Sequence, residues 1–307
     1  MDELRLTSAR VDAAASGPAR LHELLSTGDR AAWATAALAL VAGAGGTPAL
    51  RRSAEEVLDA LGISLDSHAV PGIDRAGVAG QAAAPLLQTS ALLTRGEVWV
   101  DQPDEAIIAQ GRASAQGAAA FERLGLPFME GLAEALATPG ARMLDVGTGV
   151  AALAASYAEL FPELTVVGID VLPRVLALAE DLLSTSPVAD RVILREQDVS
   201  GLSEEATYAL AWLPAPFVPE PALRAGVPRI VRSLIPGGWL IVGHGKFAGE
   251  PLDDALTRFK TVSYGGTPLT NEQAQTLLGD VGLVDVATVH TPVGAPAITV
   301  GRRTPAR

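Results

Sequence analysis

Between residues 140 and 243, short apolar runs alternate with stretches of helical spacing. The first run, Arg142-Met143-Leu144-Asp145-Val146, ends in a glycine turn, Gly147-Thr148-Gly149, and an Ala/Leu-rich stretch follows. That order predicts strand, tight turn and helix. Leu164 to Asp170 is a second such run, Arg191 to Val199 a third and Tyr208 to Pro214 a fourth. Leu234 to Gly243 carries a Pro236-Gly237-Gly238 turn into a fifth. Helical spacing fills the gaps, with Val175, Leu176, Ala179 and Leu183 on one face of Leu172 to Leu183, and a further helix over Ala222 to Leu234. Strands alternating with helices predict a parallel sheet in an α/β domain. Val281 to Val289 and Ala297 to Gly301 read as two last strands joined by a Pro-containing loop, an antiparallel hairpin at one edge.

Upstream the pattern is helical. Leu21, Leu24 and Leu25 share a face, which Trp33, Ala37, Leu40 and Val41 continue until Gly43 to Pro48 breaks it. Ala49 to Leu61 resumes with apolar Leu50, Val57, Leu58 and Leu61, closed by Gly62. Residues 64–82 read as a loop, Pro85 to Leu93 as a short helix, and Leu92 to Val100 as a helix end, a turn and a short strand. Asp101 to Glu105 opens a connecting helix, since acids and proline suit a first turn. Gly111 and Gly117 weaken that helix by about 1 kcal/mol each relative to alanine, and glycines so placed permit close backbone approach to a ligand or a neighbouring helix. Pro127 to Ala137 reads as another helix. The pattern divides the chain into a helical region, 1–100, connecting helices, 101–140, and an α/β domain, 141–307.

Chemistry concentrates at the first strand. Gly147 and Gly149 allow a sharp turn and close ligand approach. The following helix aims its free N–H groups and positive dipole end at that ligand. Asp145 stands at the strand's carboxyl end, where open α/β sheets bind ligands. Alone, the turn also fits the dinucleotide pattern G-x-G-x-x-G/A. The series is more specific. Leu144-Asp145-Val146-Gly147-Thr148-Gly149, the acid Asp170 after strand two, Asp198 after strand three and Pro236-Gly237-Gly238 before strand five together resemble the class I S-adenosylmethionine (SAM) dependent methyltransferases, over about residues 140–303.

The resemblance implies a Rossmann-like seven-stranded sheet with an antiparallel last strand and SAM as cofactor. It puts Gly147, Thr148 and Gly149 against the amino-acid end of SAM, with Asp145 attracting its ammonium. Asp170 would accept from both ribose hydroxyls, a geometry one carboxylate suits. Val171 and Leu172 would pack on the adenine face. Gln197, Asp198 and Val199 would border the adenine, the Asp198 carboxylate accepting from its amino group and the Val199 N–H donating to a ring nitrogen. A nicotinamide dinucleotide would use the same turn and Asp170, but leaves Asp145, Asp198 and the Pro-Gly-Gly turn unexplained. In this class a helix ahead of the first strand covers the cofactor, which makes Arg112, Ser114 and Gln116 pocket candidates beside Trp212, Phe217 and Tyr264. Trp212 also borders the cofactor. Methyl transfer is a displacement at an activated carbon, so alignment supplies much of the catalysis and a base matters only when the acceptor loses its proton late. His244 after strand five is the candidate base. Trp212-Leu213-Pro214-Ala215-Pro216-Phe217 stands where methylases of adenine and glutamine amino groups carry Asn/Asp-Pro-Pro-Tyr. The expected function is methyl transfer to a small, secondary-metabolite-like acceptor. SAM cyclisation or cleavage, aminocarboxypropyl transfer and non-catalytic SAM binding are the alternatives.

Composition narrows the partners. A net charge of −12 without a basic run opposes nucleic-acid binding, where phosphate contacts dominate affinity. The chain has no cysteine, which excludes disulfides and thiolate chemistry. His22, His68 and His290 have no metal-ligand spacing, and no metal is expected. Met1 to Arg5 lacks a basic segment leading into an apolar one, and the apolar stretch Ala31 to Ala42 is too short to span a bilayer. The expectation is a cytoplasmic protein without membrane contact. The layout also resembles small-molecule O-methyltransferases whose N-terminal helical domain dimerises and lids the site, which implies a homodimer.

Overall fold

The computed structural model describes residues 17–65, 74–95, 99–289, 291 and 296–306. The chain divides into two compact units, Met1–Leu86 and Leu87–Arg307. In the first, α1 (Gly17–Ala42) and α2 (Pro48–Ala60) pack through Ala37, Val41, Ala54 and Leu58. Thr47 caps α2, its hydroxyl accepting from the Leu50 N–H at 3.3 Å, and Pro48 occupies the first turn, where a missing N–H costs nothing. The helix α3 (Arg75–Arg95) begins inside the segment expected to be a loop. The Asp74 carboxylate accepts from the Gly77 N–H at 3.0 Å and so caps an Ala/Gly-rich run whose composition resembles a connector. Pro85 therefore lies within a helix rather than opening one.

The second unit is built on seven strands. Ahead of them come α4 (Asp104–Ala115), α5 (Gly117–Leu124) and α6 (Leu132–Leu136). Trp99–Asp101 forms a 3-10 turn where a strand was expected, the Gln102 N–H closing it onto the Trp99 carbonyl at 3.1 Å. The helix expected over Pro127 to Ala137 is broken, because Gly131 adopts a left-handed φ of 76° just before α6. Then follow β1 (Arg142–Val146), α7 (Ala152–Leu160), β2 (Thr165–Asp170), α8 (Pro173–Leu183), β3 (Val192–Glu196), β4 (Tyr208–Pro214), α9 (Glu220–Ser233), β5 (Leu234–His244), α10 (Pro251–Ser263), α11 (Asn271–Asp280), β6 (Val284–Val289) and β7 (Ala297–Arg302).

The strand order is β3-β2-β1-β4-β5-β7-β6. The first five strands run parallel, and β7 runs antiparallel to both β5 and β6. The expected antiparallel edge is thus present. Alternate strand residues bury on opposite faces. Met143, Val166, Leu210 and Ile241 pack with Leu153, Ala154, Tyr157 and Ala158 of α7. Leu144, Val167, Ala211 and Leu240 pack with Leu223, Val227 and Ile230 of α9 and Leu278 of α11. Burial on both faces explains why β1, β2 and β4 read as nearly continuous apolar runs. Chain order reverses between β1 and β4, and their carboxyl ends form the crevice where such sheets bind ligands.

Candidate functional site

The turn after β1 is held from three sides. Gly147 and Gly149 have φ of 62° and 58°, a left-handed conformation that costs glycine nothing. Ala151 shares it at 57°, at the start of α7, and is fully buried. From below, the Thr148 N–H donates to the Ile169 carbonyl at 3.0 Å and its hydroxyl donates to Asp145 Oδ2 at 2.7 Å. Gly168 makes room for that hydroxyl, since a Cβ there would meet Thr148 Oγ1 at 2.6 Å. From beside, the Asp170 carboxylate accepts from the Gly149 N–H at 3.0 Å through one oxygen and from the Leu172 N–H at 3.0 Å through the other. From above, α4 lies against the turn at Gly111, where a Cβ would come within 2.2 Å of Val150 Cγ2. The Gly149 side is open: a Cβ there would meet nothing within 4 Å.

Two carboxylates therefore converge on this turn, and both are buried. Burial pushes the Asp145 carboxyl up to about 7, against the Thr148 hydroxyl, which lowers it, while the nearby Asp170 charge adds to the rise. Burial also raises Asp170, opposed by the backbone N–H groups of Gly149, Leu172 and Val171. Such a pair disfavours its own charge and favours a cation placed next to it. Asp145 and Trp212 are register partners across β1 and β4, so their side chains stand on one face, where Gly168 of β2 adds none. Trp212 fits because Gly243 on β5 has no side chain; a Cβ would meet the indole at 2.7 Å.

The residues after β2 and β3 divide. Val171 is exposed and Leu172 half-buried among Ile107, Val150 and Val175. The Gln197 N–H donates to the Asp170 carbonyl at 2.9 Å, which ties the third strand's end to the second's. Asp198 is exposed, and its Oδ1 caps the next turn through the Ser200 N–H at 2.7 Å. The Val199 side chain is buried where Gly226 of α9 leaves space.

On α4, Arg112 is exposed, Gln116 ends the helix, and Ser114 accepts from the Gln110 amide at 3.2 Å. That contact ends a ladder: the Tyr264 hydroxyl donates to Gln88 Oε1 at 2.7 Å, and the Gln88 amide donates to Gln110 Oε1 at 2.9 Å. Tyr264 stacks on Phe217 at 4.9 Å between centroids, and Trp99 sets its edge against both, at 4.7 Å from Phe217 and 5.8 Å from Tyr264. The structure thus brings Ser114, Phe217 and Tyr264 together through Gln88, Trp99 and Gln110, which periodicity does not single out. Gly168 did carry a signal, because glycine within an apolar strand marks close approach of another group.

His244 at the end of β5 has no exposed surface. Its Nε2 lies 2.8 Å from the Thr299 hydroxyl and its Nδ1 3.0 Å from the Gly245 carbonyl. Burial pushes the imidazole below its ordinary value, with the Gly245 and Leu269 backbone opposing. Neither nitrogen can take an acceptor's proton without breaking one of these bonds.

A family described as "Methyltransferase domain" matches residues 143–238. The release factor glutamine methyltransferase of Rhodopirellula baltica is 28% identical over 106 residues, 34% of this chain, and the match spans 36% of that protein. Among solved structures, PigF with SAH aligns over 94% of this chain and 100% of its own at 17% identity, with a TM-score of 0.61. Human N-acetylserotonin methyltransferase in complex with SAM aligns over 95% and 99% at 16% identity, with a TM-score of 0.56. At these identities the structures establish a common fold.

Proposed function

We propose that this chain, which carries a class I SAM-dependent methyltransferase domain, transfers the methyl group of SAM to a small organic acceptor. The observation that carries the reading is the braced glycine turn, open at Gly149, with Asp145 and Asp170 buried beside it at the switch point of the sheet. SAM, when bound, supplies a methyl group already activated on a sulfonium. The open turn suits its amino-acid end, and the buried Asp145 suits the ammonium there. The Asp170 carboxylate keeps acceptor capacity beyond its backbone bonds, which suits a ribose hydroxyl. Exposed Val171 offers an apolar face for the adenine, bordered by Leu172, Gln197, Asp198 and Val199. Trp212, Phe217 and Tyr264, with Ser114, are the candidates for holding the acceptor. An aromatic face attracts a sulfonium by about 0.5–2 kcal/mol.

Trp212-Leu213-Pro214-Ala215-Pro216-Phe217 in place of Asn/Asp-Pro-Pro-Tyr argues for small-molecule acceptors over the amide of a glutamine side chain. Two helices carry exposed apolar stripes that a second copy of this chain would cover. Leu252, Leu256 and Phe259 stand four and three residues apart on α10, and Leu21, Leu24 and Leu25 share a face of α1. A homodimer, with the helical N-terminal region 1–100 contributing to it, accounts for both. No helix among the described residues is long and apolar enough to cross a membrane, which agrees with a cytoplasmic protein.

The test is calorimetric titration with S-adenosylhomocysteine (SAH) beside NAD, followed by an acceptor screen with SAM. Saturable SAH binding and release of SAH as product support the reading. Binding of NAD alone sinks it, and methylthioadenosine as product replaces methyl transfer by cleavage of SAM. Sedimentation of wild type against Phe259→Asp tests the dimer; a monomeric wild type refutes it.

A further inference from the structure

A directed chain of hydrogen bonds runs from the surface to the end of β5. The Gln275 amide on α11 donates to Thr288 Oγ1 at 3.1 Å. The hydroxyls of Thr288 on β6 and Thr299 on β7 are 2.9 Å apart. Thr299 Oγ1 is 2.8 Å from His244 Nε2. On the far edge of the ring, Nδ1 meets the Gly245 carbonyl at 3.0 Å. A carbonyl only accepts, so Nδ1 carries the ring proton, and Nε2 accepts from Thr299. Thr299 then accepts from Thr288, and Thr288 from the Gln275 amide. In this arrangement every donor meets an acceptor. A proton on Nε2 instead of Nδ1 would set a bare Nδ1 lone pair against the Gly245 carbonyl oxygen and oblige the Thr299 hydroxyl to turn its own proton away from the ring. His244 and Thr299 are both completely buried, where a mismatched polar group is costly.

The ring also borders the loops around the acceptor side. The Leu269 backbone faces it. Two residues earlier, the Thr267 N–H donates to the Ala215 carbonyl at 2.9 Å and its hydroxyl to the Val218 carbonyl at 2.8 Å. Gly266 lies directly on the Pro216 backbone, where a Cβ would come within 1.9 Å of the Pro216 carbonyl oxygen. The segment from Tyr264 to Leu269 therefore clasps the turn Ala215–Phe217, and each carries one partner of the Tyr264–Phe217 stack.

We propose that His244 is a positioning residue: held as the Nδ1–H tautomer by Thr299, Thr288 and Gln275, it fixes the two loops that present Phe217 and Tyr264 to the acceptor, and it takes no proton from that acceptor. The proposal rests on the methyl-transfer reading for its acceptor, but its geometry can be tested apart from it. Two variants of the full chain serve. Thr299→Val removes the hydroxyl on Nε2 at nearly constant volume, and His244→Asn keeps a donor near the place of Nδ1.

The first readout is nitrogen NMR of the SAH-bound chain with labelled imidazoles; the chain has 4 histidines, and His244→Asn identifies the signal. The second is steady-state kinetics against pH. The expected result is an Nδ1–H tautomer that Thr299→Val perturbs, with unchanged SAH affinity. Acceptor KM should rise about tenfold in both variants while kcat stays within about threefold, the pattern of lost ground-state positioning. The pH profile should keep its shape. An Nε2–H tautomer overturns the proposal. So does a kcat loss of about 100-fold or more in His244→Asn with unchanged KM and a vanished acidic limb, the signature of a base. If the wild type binds SAH and methylates nothing, the methyl-transfer reading falls. The positioning claim is then judged on the tautomer and on whether Thr299→Val shifts the Tyr264 ring signals: a shift supports it and an unchanged spectrum refutes it.

Discussion

Replacing Gly111 with alanine sets two ordinary effects against each other. In a helix interior the exchange favours the folded state by about 1 kcal/mol, because glycine is the poorer helix former. Against this stands the packing of α4 on the turn after β1. A Cβ on Gly111 would stand 2.2 Å from Val150 Cγ2. Ordinary carbon contacts are about 3.5–4.0 Å, so something must move by more than about 1 Å. Val150 is β-branched and stiff at χ1, nearly fully buried, and packed with Ile107 and Val175. A stiff, buried side chain yields little, so the cost belongs near the upper end of the overpacking range of about 1–3 kcal/mol. The net expectation is a loss of about 2 kcal/mol once the helix gain of about 1 is subtracted. Val150 directly follows Gly149, so any relief by backbone movement distorts the turn, and SAH binding weakens with stability. Gly117→Ala is the control. It opens α5, and its nearest neighbour would be the flexible end of Leu153 at 3.3 Å, so the gain of about 0.4–1 kcal/mol from a less flexible unfolded chain should survive. Urea unfolding and SAH calorimetry on both variants decide the matter. A Gly111→Ala chain as stable as wild type, binding SAH as tightly, refutes the claim that this helix is clamped to the turn.

Other expectations follow from the same contacts. Asp145, raised to about 7 in the folded chain, must lose its proton to face an ammonium, so SAH affinity should fall as pH drops through 7 and binding at pH 6.5 should release protons to the buffer. For stability the sign is the reverse: the buried carboxyl contributes most below its unfolded value of 3.8, and that contribution is lost as pH rises towards 7, which apo-protein melts across this range would detect. Asp170→Asn keeps one acceptor oxygen but turns an amide N–H towards a backbone N–H; a stability loss of about 1–3 kcal/mol and SAH affinity lower by tenfold or more are expected by denaturation and calorimetry. Tyr264→Phe keeps the stack on Phe217 and leaves Gln88 Oε1 without its donor, at a cost of about 1–2 kcal/mol in thermal unfolding. Gly266→Ala drives a Cβ into the Pro216 carbonyl, and acceptor turnover should be lost before SAH binding is.

Much of the α/β domain is legible in residue order, because its determinants are local. Strands buried on both faces must be apolar, and the turn between β1 and α7 must contain residues that tolerate a left-handed backbone, as Gly147 and Gly149 do. At α11 the Thr270 hydroxyl accepts from the Gln273 N–H at 3.2 Å and the Gln273 side chain accepts from the Thr270 N–H at 2.9 Å, a cap set by residues three apart. Local chemistry misled where two readings share one composition. The Ala/Gly-rich stretch before Pro85 forms a helix because Asp74 caps it, and Trp99 joins an aromatic cluster instead of a strand.

What the sequence determined by itself is therefore the series of elements and the residue types at the turn after β1, each set by neighbours a few positions away. Tertiary structure alone decided the partners. Gly111 meets Val150 across 39 positions, the Tyr264 hydroxyl reaches Gln88 across 176, and the His244 ring finds Thr299 across 55. His244 is the sharpest case. A histidine between glycines after the fifth strand reads as a candidate base, or as a structural or solvent-facing residue. The pairing of β5 with β7 instead places Thr299 against its Nε2 and excludes solvent, and those two facts govern whether an imidazole can accept a proton.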